Sequence, residues 1–179
     1  MKTGMTSVTF RGKSVEEVVS ITKEANLTGI EWGGDVHVPA GDLPAAEKAA
    51  ALCREAGLSV LSYGSYFHAD EGEDFSPVLA SAKALGALVI RIWAGRKTYE
   101  ESTPEEFSAL ASRIREAAKA AAEAGIRVGF EFHRRTATQT KEGAVALLKA
   151  VYQPNVGCYW QPNPDGTFEE QLAEIRVLA

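Results

Sequence analysis

One pattern recurs along the chain: a hydroxyl three residues before a carboxylate, a helical stretch, a glycine, then a short apolar run. Ser14-x-x-Glu17, Thr103-Pro-Glu-Glu106 and Thr167-x-x-Glu170 supply its first part. In each, the hydroxyl can accept an orphan N–H of the first helical turn while the carboxylate reaches back to the cap residue's own N–H. Pro104 suits the first helical position, where its missing N–H costs nothing. Gly57, Gly86 and Gly125 mark helix ends, and apolar runs follow at once in Gly57-Leu-Ser-Val60, Gly86-Ala-Leu-Val-Ile90 and Gly125-Ile-Arg-Val128. The spacing predicts six strands, near 5–10, 29–33, 59–64, 88–93, 127–132 and 156–161. Five helices separate them, near 14–26, 43–56, 74–85, 103–124 and 140–151, and a sixth begins near 168. Alternating βα units with short connections imply a parallel sheet covered by helices, with right-handed crossovers.

Such a sheet either stays open and doubly wound or curls into a barrel, and side-chain parity chooses between them. In Arg127-Val-Gly-Phe-Glu-Phe-His133 one face carries Val128, Phe130 and Phe132, and the other carries Arg127, Gly129, Glu131 and His133. The fourth strand repeats the pattern, with Leu88, Ile90 and Ile92 opposite Val89, Arg91 and Trp93. Strands of a doubly wound sheet are apolar on both faces, whereas a barrel interior can turn polar toward its mouth. The expected fold is therefore α/β, a parallel (βα) barrel of TIM type. A complete barrel has eight units in about 250 residues; the 179 residues here hold six, so an incomplete barrel, truncated at its C-terminal side, is expected. Without a linker or a shift in composition, residues 1–179 read as one domain. Six units leave the first and last strands unpaired, so self-association through that gap is a further expectation.

Composition narrows the function. With 45% hydrophobic and 24% charged residues, the chain has the make-up of a folded protein. No apolar stretch approaches the ~20 residues needed to span a bilayer, and the opening MKTGMTSVTFRGKS lacks the apolar core of a secretory signal. Cys53 and Cys158 stand far apart and read as reduced thiols, which with the missing signal places the expectation in the cytoplasm. A net charge of −5 and no Lys/Arg stripe argue against nucleic acid as a partner, and nothing points to a membrane.

In parallel βα folds, ligands bind beyond the carboxyl ends of the strands. All three Trp (Trp32, Trp93, Trp160) and all three His (His37, His68, His133) fall at or just after strand ends, joined by Tyr63, Tyr66 and Tyr159. Glu131 and His133, two residues apart on the inward face, place a carboxylate beside an imidazole. Such a carboxylate can ligate a metal or take a proton from carbon, and the His can orient a hydroxyl. A plain interior ion pair of Glu131 with Arg91 is the competing reading, though a buried pair is a poor source of net stability. Gly29-Ile-Glu-Trp-Gly-Gly-Asp35-Val-His37 offers an inward Glu31, which can serve a substrate or simply cap the loop, and a glycine-rich mouth bearing Asp35 and His37. Tyr159 and Gln161 point inward as an uncharged pair suited to hydroxyls. Arg11-Gly-Lys-Ser14 has the look of a phosphate-loop ending, but Ser7 stands where that loop needs glycine, so it is a helix cap. No GxGxxG, GxSxG or HExxH occurs, which leaves nucleotide, serine-hydrolase and zincin readings without support.

Thr6-Ser-Val-Thr-Phe-Arg11, Gly29-Ile-Glu-Trp-Gly-Gly-Asp-Val-His-Val-Pro39, Ser62-Tyr-Gly-Ser-Tyr66, Arg91-Ile-Trp-Ala-Gly95, Phe130-Glu-Phe-His133 and Tyr159-Trp-Gln-Pro162 together resemble sugar phosphate isomerase/epimerase proteins of the xylose-isomerase-like TIM-barrel superfamily. The resemblance implies a divalent metal ion (Mn, Mg, Zn or Co) held by carboxylates and His. It also implies glutamates that shuttle a proton beside a sugar carbonyl. Glu131 matches the fifth-strand glutamate, as catalytic residue and metal ligand; Gln161 stands where many relatives place a metal-binding Asp. The implied activity is metal-dependent isomerisation or epimerisation of a small sugar or sugar phosphate through an enediolate. The partner is thus a small polyhydroxylated carbonyl compound, with Glu31, His37, Tyr63, His68, Arg91, Trp93, His133 and Trp160 on the substrate. A non-catalytic sugar-binding or scaffold barrel is the alternative. A metal-dependent endonuclease for damaged DNA shares the barrel but needs more His and a basic groove.

Overall fold

A computed structural model describes residues 3–162 and 166–178. The elements run β1 (Gly4–Thr6), a 3-10 turn (Ser7–Phe10), α1 (Val15–Glu24), β2 (Gly29–Gly33), α2 (Leu43–Ala56), β3 (Ser59–Gly64) and α3 (Ser76–Leu85). They continue with β4 (Val89–Ile92), α4 (Pro104–Glu123), β5 (Arg127–Glu131), α5 (Lys141–Val151), β6 (Val156–Tyr159) and α6 (Phe168–Leu178). The six strands form one open parallel sheet in sequence order, an α/β fold of TIM type.

The helix signals act as their chemistry requires. Ser14 and Glu17 form a reciprocal capping box. Thr103 and Glu106 exchange the same two bonds at 3.0 and 3.2 Å, and Thr167 and Glu170 at 2.7 and 3.3 Å. Gly57 and Gly86 close α2 and α3 in the left-handed conformation, at φ 75° and 68°. All three box carboxylates titrate below their ordinary 4.5: Glu17 through Lys13 and then the Ser14 N–H, Glu106 through Lys97 and then the Thr103 N–H, Glu170 through the Thr167 N–H. A depressed carboxylate contributes stability that is present above its unfolded pKa and lost as pH falls through the folded one. The melting temperature is therefore expected to hold near neutrality and fall below about pH 5. Glu17→Gln and Glu170→Gln, which remove the titrating carboxylates themselves, should lower it at neutral pH and flatten that acid limb in circular-dichroism melts.

The described residues group into two compact units, one of 3–66, 74–90 and 124–126, the other of 67–73, 91–123, 127–162 and 166–178. In the first, α1 packs on α2 and α2 on α3 beside β1–β3. Its opening strand is shorter than the expected 5–10, because the chain turns after Thr6 into the 3-10 helix. There the Ser7 hydroxyl accepts the Gly33 N–H at 2.9 Å and Val8 fills the space a Cβ on Gly33 would need. A bulge lies between Ile30 and Glu31 of β2 and the facing strand, so that Glu31 pairs with Ser62 and Leu61 is the extra residue. Leu61 then lies against Gly4 and Gly29, either of which would strike it with a Cβ. In the second unit α4 packs on α5 and α5 on α6. Val128, Phe130 and Phe132 are buried and Glu131 stays partly open, the expected parity of β5. The fourth strand follows it from Ile90 onward, while Leu88 is 62% exposed before β4 begins.

Candidate active site

In the second unit several of the residues singled out above gather around one carboxylate. Glu131 closes β5, and three side-chain donors converge on it. Arg91 of β4 and Trp93 just beyond it, through its indole N–H, both donate to Oε2; Gln161, past β6, donates from Nε2 to Oε1 at 3.1 Å. The Arg91 and Glu131 side chains are 7% and 14% exposed, so the pair is largely removed from water yet the carboxylate is still reachable. Gln161 also donates to the Phe132 carbonyl at 2.6 Å, which fixes its amide with the nitrogen toward Glu131. His133 stacks on Trp93 (centroids 4.1 Å apart, planes 20° apart), and His68 meets the same indole edge-on at 4.9 Å.

Backbone and hydroxyl bonds hold this group in place. The N–H groups of Trp93 and Gly95 donate to the carbonyls of Phe67 and His68, tying the segment after Tyr66 to the end of β4. Thr138 donates its hydroxyl to the Glu131 carbonyl at 2.6 Å, and Thr136 donates to that of His133 at 2.8 Å. The loop carrying these threonines therefore folds back on the strand end that carries the acid and the imidazole. Since a carbonyl can only accept, the 2.8 Å contact from His133 Nδ1 to the Arg134 oxygen makes Nδ1 the protonated nitrogen. A cleft of about 380 Å³ opens here, lined by His68, Trp93, Arg96, His133, Arg134 and Arg135, with Gly95 and Thr136.

The other expected site residues have partners of their own. Trp160 turns to α6, donating to Glu174 at 3.0 Å. In the first unit Glu31 is 7% exposed and accepts the hydroxyls of Ser62 at 2.7 Å and Thr6 at 3.3 Å. His37 is buried, bridging the Ser7 hydroxyl and the Lys13 carbonyl at 3.0 Å each. Tyr63 is fully buried, donates to the Val38 carbonyl at 2.9 Å and is pushed up to about 12 by burial. Trp32 is likewise enclosed, edge-on to His37. Arg11 pairs with Asp35 and reaches the Tyr66 hydroxyl at 3.0 Å. Thr136, Thr138, Arg96 and the Arg134–Arg135 pair escaped the sequence reading. The signal available was two adjacent arginines directly after a strand that ends in Glu-Phe-His.

The described donors at Glu131 do not fit a divalent metal. The carboxylate faces a guanidinium, and Gln161 turns an amide N–H, not an oxygen, toward it; a hard cation needs several oxygens aimed at one point. His68, Asp70 and Glu73 place one ligand atom each within 4.8 Å of one another. Glu73, however, caps the N–H groups of His68 and Asp70 at 3.0 Å, and Arg96 donates to both Asp70 and His68 Nδ1, at 2.6 and 3.1 Å. A guanidinium holds that position. A ligand that binds the folded state at a hundred times its Kd stabilises by about 2.7 kcal/mol. We expect EDTA, and added Mg²⁺, Mn²⁺, Zn²⁺ or Co²⁺, to leave the melting temperature unmoved; a rise with any of these ions contradicts the assignment.

The family model for the xylose isomerase-like TIM barrel matches residues 19–163, and the chain belongs to that family. Among solved structures, the probable 3-DHS dehydratase AsbF of Bacillus anthracis superposes with a TM-score of 0.76 at 22% identity, over 88% of this chain and 62% of its own. The 3-keto-D-glucoside 4-epimerase YcjR of E. coli gives 0.70 at 18% identity, over 99% of this chain and 76% of the epimerase. A xylose isomerase-like TIM barrel protein of Mycobacterium smegmatis, solved with magnesium, gives 0.71 at 18%, over 99% and 72%. At these identities the likeness is one of fold. This chain thus spans less than two thirds of the dehydratase. No curated protein matches it by sequence. No helix among the described residues is long and apolar enough to cross a membrane.

Proposed function

We propose that the chain carries the proton-transfer half of an isomerase or epimerase acting beside the carbonyl of a small sugar or sugar phosphate. Glu131 is the base. The observation that carries this reading is the convergence of Arg91, Trp93 and Gln161 on one partly open carboxylate at the C-terminal end of β5. Donors locked in advance fix the orientation of the acid, and a carboxylate within hydrogen-bond reach of an acidic C–H can take that proton and return it to the neighbouring carbon, whereas inversion at the same carbon requires a second acid on the opposite face. His133, with Nδ1 protonated and its ring stacked on Trp93, offers Nε2 to a substrate hydroxyl. An epimerase and a probable dehydratase among the structural neighbours support chemistry of this kind on the fold.

A sugar-binding barrel without turnover is the second reading, favoured by the engagement of both Glu131 oxygens by protein donors. Assaying aldoses, ketoses and their phosphates with wild-type chain and Glu131→Gln separates the two. The base assignment expects turnover that the variant loses by about 10²–10⁴-fold; turnover equal in both overturns it.

A further inference from the structure

The cleft beside Glu131 has a charge pattern that proton transfer does not explain. Arg96 enters it from the loop after β4, and Arg134 and Arg135 from the loop after β5; the imidazoles of His68 and His133 complete the wall, and none of the lining residues is acidic. Like charges gathered into one concavity raise its potential and draw an anion. Arg96 is held in advance, its Nε on Asp70 and its terminal nitrogen on His68 Nδ1. Arg135 adopts φ 61°, a conformation non-glycine residues rarely take, and its N–H is tied to Gln139 at 2.7 Å. Arg134 and Arg135, on either side of that turn's start, both line the cleft. Bidentate guanidinium contacts saturate a planar carboxylate quickly, whereas a tetrahedral phosphate presents three terminal oxygens to donors arriving from separate segments.

We infer that this cleft binds the phosphate monoester of the substrate, which narrows the class from sugars in general to phosphorylated ones. The assignment of the anion to a substrate rests on the proton-transfer reading of Glu131; the anion site itself does not. Trp93 links the two, since its ring lies under His133 and its N–H reaches Glu131.

Isothermal titration of the full chain tests it, with inorganic phosphate, glycerol 3-phosphate and acetate as probes at constant ionic strength. Saturable binding of both phosphates, with acetate far weaker, is the expected result. Arg134→Ala and Arg135→Gly should each weaken phosphate by roughly tenfold, about 1.4 kcal/mol. Glycine accepts the left-handed turn at position 135, so an unchanged melt of that variant shows that the loss is not one of folding. Glu131→Gln should keep phosphate affinity. If wild-type turnover is also absent while arginine-dependent binding persists, the anion site stands and the catalytic reading falls. The inference is overturned by no saturable phosphate binding, by binding indifferent to both arginine variants, by acetate binding as well as phosphate, or by exclusion of the ester.

Discussion

Replacing Arg91 by Met is expected to destabilise the chain by roughly 3–5 kcal/mol, the cost of stripping one member from a buried ion pair. In a domain of this size that corresponds to a fall in melting temperature of about 10 °C. Arg91 is 7% exposed and its partner Glu131 14%, so the carboxylate regains only part of its hydration when Arg91 is gone. Trp93 and Gln161 still donate to the stranded carboxylate, but neither carries charge. Adding Glu131→Gln should recover much of the loss, because the double variant leaves no uncompensated carboxylate. Urea titrations of the wild type, both single variants and the double variant give the coupling energy directly. A small loss in Arg91→Met, or strict additivity, contradicts the pairing as the element that fixes Glu131.

The parts of this molecule legible in the sequence are those set by local rules. Ser14, Thr103 and Thr167 announce helix starts because a hydroxyl and a carboxylate three residues apart satisfy each other's backbone. Alternation through β5 put Glu131 opposite Phe130 and Phe132, and the burial agrees. Long-range geometry was less readable. Simple alternation through β3 would set Tyr63 on the face of Glu31, but the bulge at Leu61 pairs Ser62 with Glu31 and Tyr63 with Trp32. One inserted residue exchanges the two faces of everything after it. The core thus receives Tyr63, and Glu31 receives a serine hydroxyl. His37 follows a strand end as a binding residue would, yet Ser7 and Lys13 claim both its nitrogens. Neither partner is visible from spacing: Ser7 comes from the 3-10 turn that replaced the end of the expected first strand, and Lys13 offers a backbone carbonyl from the loop after it. Gln161 stands where the resemblance implies a metal ligand, but its Nε2 donates to the Glu131 carboxylate where a metal ligand would turn its oxygen inward. Which amide atom faces an acid is decided by the Phe132 carbonyl, a contact no sequence pattern encodes.

Hydrogen exchange at the substrate carbon probes the central claim without requiring that the full reaction be observed. A base that removes a proton beside a carbonyl and exchanges it with solvent before returning it leaves deuterium behind in D₂O. Proton NMR of candidate sugars and sugar phosphates incubated with the wild-type chain in D₂O should show loss of the signal from the hydrogen next to the carbonyl. Glu131→Gln, which keeps the shape of the side chain and removes its basicity, should slow that loss by about 10²–10⁴-fold while circular dichroism shows the fold retained. Equal exchange rates in wild type and Glu131→Gln would contradict the account, leaving Glu131 as the ion-pair partner of Arg91 and nothing more.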